Sequence, residues 1–279
     1  IFDDEVTNGE LYKYDWLHLH HEDFTGQYGK FLRYQKQEWY KNMKNEFTET
    51  AQKYGYDTVH NFKKTIALKI REYINNGGFL FAMCSATDSF DIALSYYLID
   101  FAHQVYDGTP IEYNYDSKIN YSYGIAFENY ELYLDPNIYE YSTIDYPSSH
   151  QPTTRSAESD YFTLSNFSAK WDPVPTMLIQ NHVTNVNGFM GQTTGYDKQY
   201  IKNHVVILAE DLYSDQVKYI HGNVGKGTFT FLGGHDPEDY RHFVGDPPTD
   251  LDLHRNSPGY RLILNNILFP AAKKKPKKT

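Results

Sequence analysis

The chain contains one cysteine, Cys84, at a position typical of a catalytic nucleophile. A short apolar run at 79–83 precedes it and begins after two glycines, a pattern that predicts a buried strand. Helical spacing of apolar residues begins at Ser89, so Cys84 is expected at a strand-to-helix turn. Amides at a helix N-terminus favour the thiolate, which is the reactive form of cysteine. The alternative is a buried core residue, because free cysteine often packs as a small hydrophobic side chain.

A second polar group follows a later predicted strand at 227–232. That strand ends in two glycines, after which come His235, Asp236 and Glu238. A general base needs an accessible imidazole and an acidic partner that holds the ring, and this pattern supplies both. We predict that Cys84 attacks an acyl carbon and that His235 transfers the proton. Either Asp236 or Glu238 then orients the imidazole, and a purely structural histidine is the alternative.

A third polar group lies at the end of the first predicted strand, at 14–20. His18 and His20 share a face of that strand because side chains alternate with a period of two. A metal-assisted site at His18, His20 and His235 is therefore one alternative. The spacing matches no recognised zinc signature. We expect no metal and no cofactor.

The elements that position these residues alternate between strand and helix over the first hundred residues. Helices are predicted at 28–54 and 61–76, and a third follows Cys84. This βαβα succession predicts an α/β fold with a mostly parallel sheet and right-handed crossovers. Because carboxyl ends of parallel strands meet at one edge, Cys84 and His235 are expected at the same edge.

The second half of the chain begins with a change of character. A tyrosine-rich stretch at 105–170 predicts an excursion of short strands and loops. Strands return at 174–180 and 205–209, and a hairpin joins 217–222 to 227–232. A closing helix starts at Ser257-Pro258, and we expect four of its residues to face inward: Leu262, Ile263, Ile267 and Leu268.

Composition bounds the class of protein. The chain has 279 residues, 40% of them apolar, and we expect one α/β domain over 1–279 with a flexible basic tail at 271–279. Its 26 basic residues against 36 acidic ones give a net charge of −10. The segment 273–278 supplies five lysines, so the remainder carries 21 against 36, or −15. An acidic body argues against a nucleic-acid partner.

Three further features bear on partners and location. The 27 tyrosines suit contact with a glycan or a protein. One cysteine excludes a disulfide within the chain. No stretch approaches the roughly 18 apolar residues of a membrane-spanning helix. The chain starts at Ile1 rather than at a methionine, so we expect a further N-terminal segment in the precursor.

Two stretches of the chain resemble the paired motifs of trehalose-utilisation (ThuA-like) proteins. They are Gly77-Gly78-Phe79 through Asp88 and Gly225-Lys226-Gly227 through Tyr240. These proteins belong to the class I glutamine-amidotransferase-like superfamily, so the resemblance implies a flavodoxin-like fold. It also implies a cysteine at Cys84 with a histidine at His235 and an acid at Glu238. Residues 82–86 depart from the usual Gly-x-Cys-x-Gly, and His-Asp-Pro-Glu replaces His-Pro-Glu, so glutamine hydrolysis is not implied.

A resemblance over nearly the whole chain is to bacterial proteins labelled "asparagine synthetase B". The segments 16–30 and 243–251 carry it. It implies a periplasmic or envelope location, whereas the N-terminal cysteine and the ATP-pyrophosphatase loop of true asparagine synthetases are absent from this sequence. In the resembled fold the loop after the first strand lies beside the nucleophile. We therefore expect these substrate contacts: His20, His21, Glu22, Asp23, Ser85 and Asp88.

Two functions from different classes follow. The first is a glutamine-amidotransferase-like hydrolase or transferase that uses Cys84, His235 and an acid on an unidentified small molecule or glycan. The second is a non-catalytic envelope module of the same fold that binds carbohydrate or a protein partner through its aromatic surface. Reactivity of the single thiol distinguishes them.

Overall fold

The computed structural model describes residues 3–146, 161–166, 179, 181–189, 191–238 and 246–269. The helices are α1 Asp3–Thr7, α2 Glu38–Lys53, α3 Val59–Asn75, α4 Ser85–Ser95, α5 Gln104–Asp107 and α6 Pro258–Leu268. The strands are β1 Trp16–Leu19, β2 Phe79–Met83, β3 Tyr161–Leu164, β4 Asn185–Asn187, β5 Tyr196–Asp197, β6 Val206–Glu210, β7 Gln216–Val224 and β8 Gly227–Leu232. Short 3₁₀ turns lie at 10–13, 28–30, 32–34, 115–118, 198–200 and 251–254. Among the described helices, none combines the length and the apolar character needed to cross a bilayer.

The described strands form one mixed sheet in the order β1-β2-β8-β7-β6-β3-β4, with β5 paired to β7. Strands β1, β2 and β8 run parallel to one another, and every other pairing among the described strands, including β8 with β7, is antiparallel. The α/β class is as predicted. The mostly parallel, flavodoxin-like arrangement is not confirmed, because a hairpin reverses the chain direction at β7–β8 and the antiparallel strands β6 and β3 continue from it.

The β7–β8 hairpin confirms the prediction made from its sequence. Val224 pairs with Gly227, so the turn consists of Gly225 and Lys226. Gly225 has φ 57, and a Cβ there would lie 2.6 Å from the backbone oxygen of Asn75. A left-handed residue with no side chain is therefore required at the turn.

Helix α3 agrees with the sequence pattern, but α2 is shorter than predicted. Thr58 caps α3 by accepting a hydrogen bond from the N–H of Asn61. The helix predicted over 28–54 begins only at Glu38. Residues 28–34 form 3₁₀ turns instead, and Lys30 there is buried with φ 55. Its Nζ donates to two backbone carbonyls of the excursion, those of Tyr133 and Glu140, and these tertiary bonds outweigh helix propensity.

Helix α6 begins where predicted, but it buries a different face. Ser257 accepts a hydrogen bond from the N–H of Tyr260, and Leu262 is buried as expected. Ile267 and Leu268 are 43% and 41% exposed, so the prediction that both face inward is wrong. Asn266 is buried in their place, because its Nδ2 donates to the Tyr219 hydroxyl over 2.8 Å and to the Leu262 carbonyl over 2.9 Å.

The tyrosine-rich excursion is mostly irregular up to residue 146, and its other described part, 161–166, contains strand β3. The buried carboxylate of Asp91 in α4 holds it. Its Oδ2 accepts from the backbone N–H groups of Ile125 and Ala126, both at 2.7 Å, and Oδ1 accepts from that of Phe127 at 3.4 Å. Most of the strand predicted at 174–180, the excursion residues 147–160 and the tail at 271–279 lie outside the described residues.

Candidate active site

Three adjacent parallel strands bring the predicted site residues to one edge of the sheet. Leu19 pairs with Ala82, and Met83 pairs with Leu232. The residues that follow these strands therefore start from neighbouring strand ends, with Cys84 in the middle. This confirms the prediction that Cys84 and His235 lie at the same edge, where α/β sheets bind ligands.

Cys84 lies at a strained turn between β2 and α4. Its φ of 54° and ψ of −139° are unusual for a residue with a side chain, and such conformations cost about 1–3 kcal/mol. Its backbone N–H donates to the Leu232 carbonyl over 3.1 Å, which ties the turn to β8. A strained strand-to-helix turn is also how α/β hydrolases present a nucleophile above the sheet.

A glycine-bounded segment, Gly191–Gly195, covers the thiol and was not among the residues predicted for the site. The backbone N–H of Gln192 donates to Cys84 Sγ over 3.1 Å. A Cβ on Gly191 would lie 2.7 Å from the same sulfur. The Gln192 side chain fixes the segment through hydrogen bonds to the carbonyls of Gly29, at 3.1 Å, and Tyr139, at 2.9 Å. Cys84 is consequently only 1% exposed. The run of polar residues between two glycines was the available signal of a close-packed loop.

His235 lies beside Cys84 and pairs with an acid. Its Nδ1 lies 2.6 Å from Asp236 Oδ2. Burial disfavours the charged imidazole, but the Asp236 carboxylate bonded to Nδ1 and the neighbouring Cys84 side chain raise the pKa of His235 to about 10. An imidazolium beside the sulfur at neutral pH stabilises a thiolate. The preceding Gly234 has φ 78, and a Cβ there would lie 2.2 Å from the Phe189 carbonyl oxygen, which explains the glycine.

The structure separates the two acids that the sequence left as alternatives. Asp236 is the partner of His235, whereas the Glu238 carboxylate lies 3.7 Å from Nδ1 of another histidine, His254. Glu238 therefore does not orient His235 in this structure. Asp236 itself has φ 47, an uncommon conformation that aspartate tolerates better than most residues.

The histidines after β1 lie against His235. The ring centroids of His20 and His235 are 4.8 Å apart, and those of His21 and His235 are 5.7 Å apart. Burial, together with the neighbouring positive charge of His235, lowers the pKa of His20 to about 3. His20 is therefore neutral at physiological pH. His18 stacks instead on the rings of Trp16 and Phe81.

The loop that carries these histidines is docked on the first turns of α4. The Ser85 hydroxyl donates to the carbonyl of His21 over 3.2 Å, and the Ser89 hydroxyl donates to that of Glu22 over 3.0 Å. The Glu22 carboxylate accepts from the backbone N–H of His20 at 2.7 Å. Ser85 and Glu22 thus hold the loop beside the thiol, as the resemblance implied for this loop.

Two predicted substrate contacts have structural partners instead. Asp23 accepts from the N–H and hydroxyl of Thr25 and from the N–H of Gly29, which closes its own loop. Asp88 is fully buried in α4, and its Oδ1 accepts from the Thr193 hydroxyl over 3.0 Å. Burial raises the pKa of Asp88 to about 7, although the bond from Thr193 partly offsets it. A role for either acid in substrate binding stays a prediction.

Comparison with known proteins leaves this site without a family assignment. No family model matches the chain, and no curated protein does. Over 96% of this chain and 76% of the other, its fold is similar to that of Cytoplasmic Protein STM3548 from Salmonella typhimurium, with 10% identity and a TM-score of 0.37. The GH42 beta-galactosidase Gan42B is similar over 70% of this chain and 20% of its own length, with 10% identity and a TM-score of 0.28. Neither likeness is strong enough to assign a function.

Proposed function

We propose that the protein is a glutamine-amidotransferase-like hydrolase or transferase that uses Cys84 as its nucleophile. The observation that carries the proposal is His235, which lies beside Cys84 against the same Gly191 and whose Nδ1 lies 2.6 Å from the Asp236 carboxylate. Nucleophile, base and orienting acid are the three parts of such a site. The strained turn at Cys84 adds support, since backbone strain concentrates at functional positions.

The geometry supports a two-step acyl transfer. The Cys84 thiolate attacks the acyl carbon, a C–S bond forms and the carbonyl electrons move onto oxygen. Collapse of this intermediate breaks the bond to the leaving group, which takes the proton of His235 and leaves a thioester. His235, now neutral, removes a proton from water or an amine acceptor. The oxygen or nitrogen attacks the thioester, and the C–S bond breaks to restore the thiolate.

Backbone amides at the site suit the oxyanion of both steps. The Gln192 N–H already donates to a partly negative atom, Cys84 Sγ. The first amides of α4, those of Ser85 and Ala86, precede the Thr87 N–H that donates to the Cys84 carbonyl, and they lie next to the nucleophile. Preorganised donors of this kind contribute the largest stabilisation in acyl transfer. Because Cys84 is buried, substrate entry requires the segment Gly191–Gly195 to move.

The family and location belong to the same proposal. The motifs around Cys84 and His235, together with the whole-chain resemblance to proteins labelled "asparagine synthetase B", support a ThuA-like, flavodoxin-like origin and a periplasmic or envelope location. The parallel group β1-β2-β8 with its loops is the part of the fold consistent with that origin. The antiparallel half of the sheet is then an elaboration on it.

Alkylation of the single thiol tests the nucleophile directly. Native protein at pH 7 is treated with iodoacetamide, and modification is followed by mass spectrometry against a free thiol such as N-acetylcysteine. We expect Cys84 to react faster than the free thiol and the rate to fall at least tenfold in His235→Ala. His254→Ala is the matched control and should react like the wild type, because His254 contacts Glu238 instead. A thiol that reacts only in denaturant contradicts the proposal and favours a binding module.

A cavity at the opposite edge of the sheet favours that binding module as a second candidate. It has a volume of about 480 Å³ and lies before β1 and β2, with Tyr12, Asp15, Lys69 and Glu72 in its lining. Tyr12 is 79% exposed, and exposed tyrosine beside carboxylates is typical of sugar contacts. Binding to a glycan array that Tyr12→Ala abolishes and Tyr213→Ala preserves would support this candidate. Tyr213 is an even more exposed tyrosine, at 97%, and it lies outside the cavity lining.

A further inference from the structure

Two histidines and an aspartate converge at the mouth of the candidate site. One ligand atom from each of His20, His235 and Asp236 lies within 4.8 Å of the others. The three side chains come from two distant segments of the chain, one after β1 and one after β8. Pairing of both strands with β2 sets their separation, so the convergence follows from the fold.

Both segments are held in place before any ligand binds. The backbone N–H of His20 donates to the Glu22 carboxylate over 2.7 Å. On the other side, Gly234 and Asp236 both have positive φ, at 78° and 47°. Such a conformation at a residue with a side chain persists only where its surroundings determine it. Preorganisation of this kind is what a ligand site needs.

We infer that His20, His235 and Asp236 bind a divalent transition-metal ion. Two imidazole nitrogens and one carboxylate oxygen form a donor set that suits zinc and its neighbours in the first transition row. All three residues are half-buried, so an ion can reach them from solvent. Cys84, by contrast, lies beneath Gln192 and is outside the set.

The distances allow an ion after a small adjustment. Zinc binds nitrogen and oxygen at about 2.0–2.2 Å in tetrahedral geometry. The ligand atoms of a bound zinc ion lie roughly 3.3 Å from one another. In this structure the three ligand atoms lie up to 4.8 Å apart, so side-chain movements of about 1 Å would bring them to that separation. Rotation about χ angles provides this movement without a change in the backbone. A three-ligand protein set also leaves a position open for water or substrate.

His18, which the sequence suggested as a ligand, does not belong to this set. Its ring stacks on Trp16 at 5.6 Å and on Phe81 at 5.0 Å, and its centroid lies 6.1 Å from that of His20. Asp236, adjacent in sequence to His235, takes its place. The expectation of no metal rested on the spacing of His18 and His20, and that spacing does not describe the ligand group in the folded chain.

Metal binding has a consequence for the proposed chemistry. An ion on the His235 imidazole takes the lone pair that would carry a proton, so the metal-bound protein lacks its general base. The ion therefore inhibits reaction at Cys84. This consequence rests on the proposed function, whereas the metal site itself does not.

Calorimetric titration with ZnCl₂ tests the site in the full chain after treatment with a chelator. We expect one saturable ion per chain. Affinity should fall at least tenfold in His20→Ala and in Asp236→Asn, the second of which preserves side-chain shape. His204→Ala removes an exposed histidine elsewhere and should leave affinity unchanged. Cys84→Ser should also leave it unchanged, and circular dichroism checks that each variant is folded.

Three results would overturn the metal site. They are no saturable zinc binding by the wild type, wild-type zinc affinity in folded His20→Ala and Asp236→Asn, or loss of zinc binding in Cys84→Ser. Alkylation of Cys84 with and without Zn²⁺ separates the two proposals. If zinc binds with the expected variant pattern but Cys84 is inert in the metal-free protein, the nucleophile fails and the metal site stands. If Cys84 reacts with dependence on His235 but zinc does not bind, the metal site fails alone.

Discussion

The backbone N–H of Gln192 donates a hydrogen bond to Cys84 Sγ over 3.1 Å, across 108 residues of sequence. This bond stabilises negative charge on the sulfur and at the same time closes the site. The Gln192 side chain reinforces the closed arrangement through the carbonyls of Gly29 and Tyr139. Under the proposed function, this state holds the Cys84 thiol ready for attack but covered, and access to it would require the segment Gly191–Gly195 to open.

Gly191→Ala should expose the thiol. A Cβ at this position would lie 2.7 Å from Cys84 Sγ and 3.1 Å from His235 Cδ2, so the segment must move away. We expect faster alkylation by a bulky maleimide and a loss of about 1–3 kcal/mol in the free energy of unfolding. Gly195→Ala is the control, because its Cβ would meet the Gln216 side chain at 2.6 Å rather than the sulfur. If both variants increased the rate of Cys84 alkylation equally, the segment Gly191–Gly195 would not be a specific cover over the thiol.

Asp236→Asn should lower the pKa of His235, whereas Glu238→Gln should not. Burial opposes the imidazolium, and the Asp236 carboxylate and the neighbouring Cys84 side chain together raise the pKa of His235 to about 10. Loss of the carboxylate should lower the titration midpoint by about one to three pH units. Two-dimensional NMR of the His235 ring measures it. A midpoint that moves in Glu238→Gln and stays in Asp236→Asn would reverse the assignment of the acid.

Asp88→Asn should change how stability depends on pH. The carboxyl ionises near pH 3.8 in the unfolded chain, but burial raises the pKa of Asp88 to about 7 in the folded protein. The folded state thus binds the extra proton between these values, and the free energy of unfolding falls as pH rises from about 4 to 7. Asparagine cannot ionise and stays neutral.

The advantage of the Asp88→Asn variant should therefore be absent near pH 4 and reach roughly 4 kcal/mol above pH 7, at about 1.4 kcal/mol per pH unit. Urea unfolding at pH 4 and pH 8 measures the difference. Asp215→Asn changes an exposed carboxylate and serves as the control. A constant difference between Asp88→Asn and the wild type at both pH values would show that Asp88 is ionised in the folded state.

Asp91→Ala should loosen the tyrosine-rich excursion. Three buried backbone N–H groups, those of Ile125, Ala126 and Phe127, donate to this carboxylate. Each unsatisfied buried donor costs about 1–3 kcal/mol, so we expect a loss of at least 3 kcal/mol in chemical denaturation. Asp91→Asn keeps one acceptor oxygen and should lose less. Equal losses in the two variants would show that charge, rather than hydrogen bonding, anchors this segment.

Sequence patterns correctly predicted the elements that are stabilised mainly by interactions between residues close in the chain. The helical spacing of apolar residues over 61–76 placed α3 within two residues of its observed bounds, Val59–Asn75. The glycine turn placed the β7–β8 hairpin. The pattern failed for residues 28–37, where the buried Lys30 bonds to carbonyls more than a hundred residues away. It also failed for the mostly parallel sheet, because strand direction depends on which distant strands pair.

The sequence by itself determined that Cys84 ends a buried strand and that His235 follows two glycines, since periodicity and turn chemistry act over a few residues. Only the tertiary structure decided that Asp236 rather than Glu238 holds His235, and that Gln192 covers the thiol. It also brought His20 beside His235, from opposite ends of the chain. Hydrogen bonds and ring contacts act over a few ångströms, so these relationships exist only once distant loops pack on the edge formed by β1, β2 and β8.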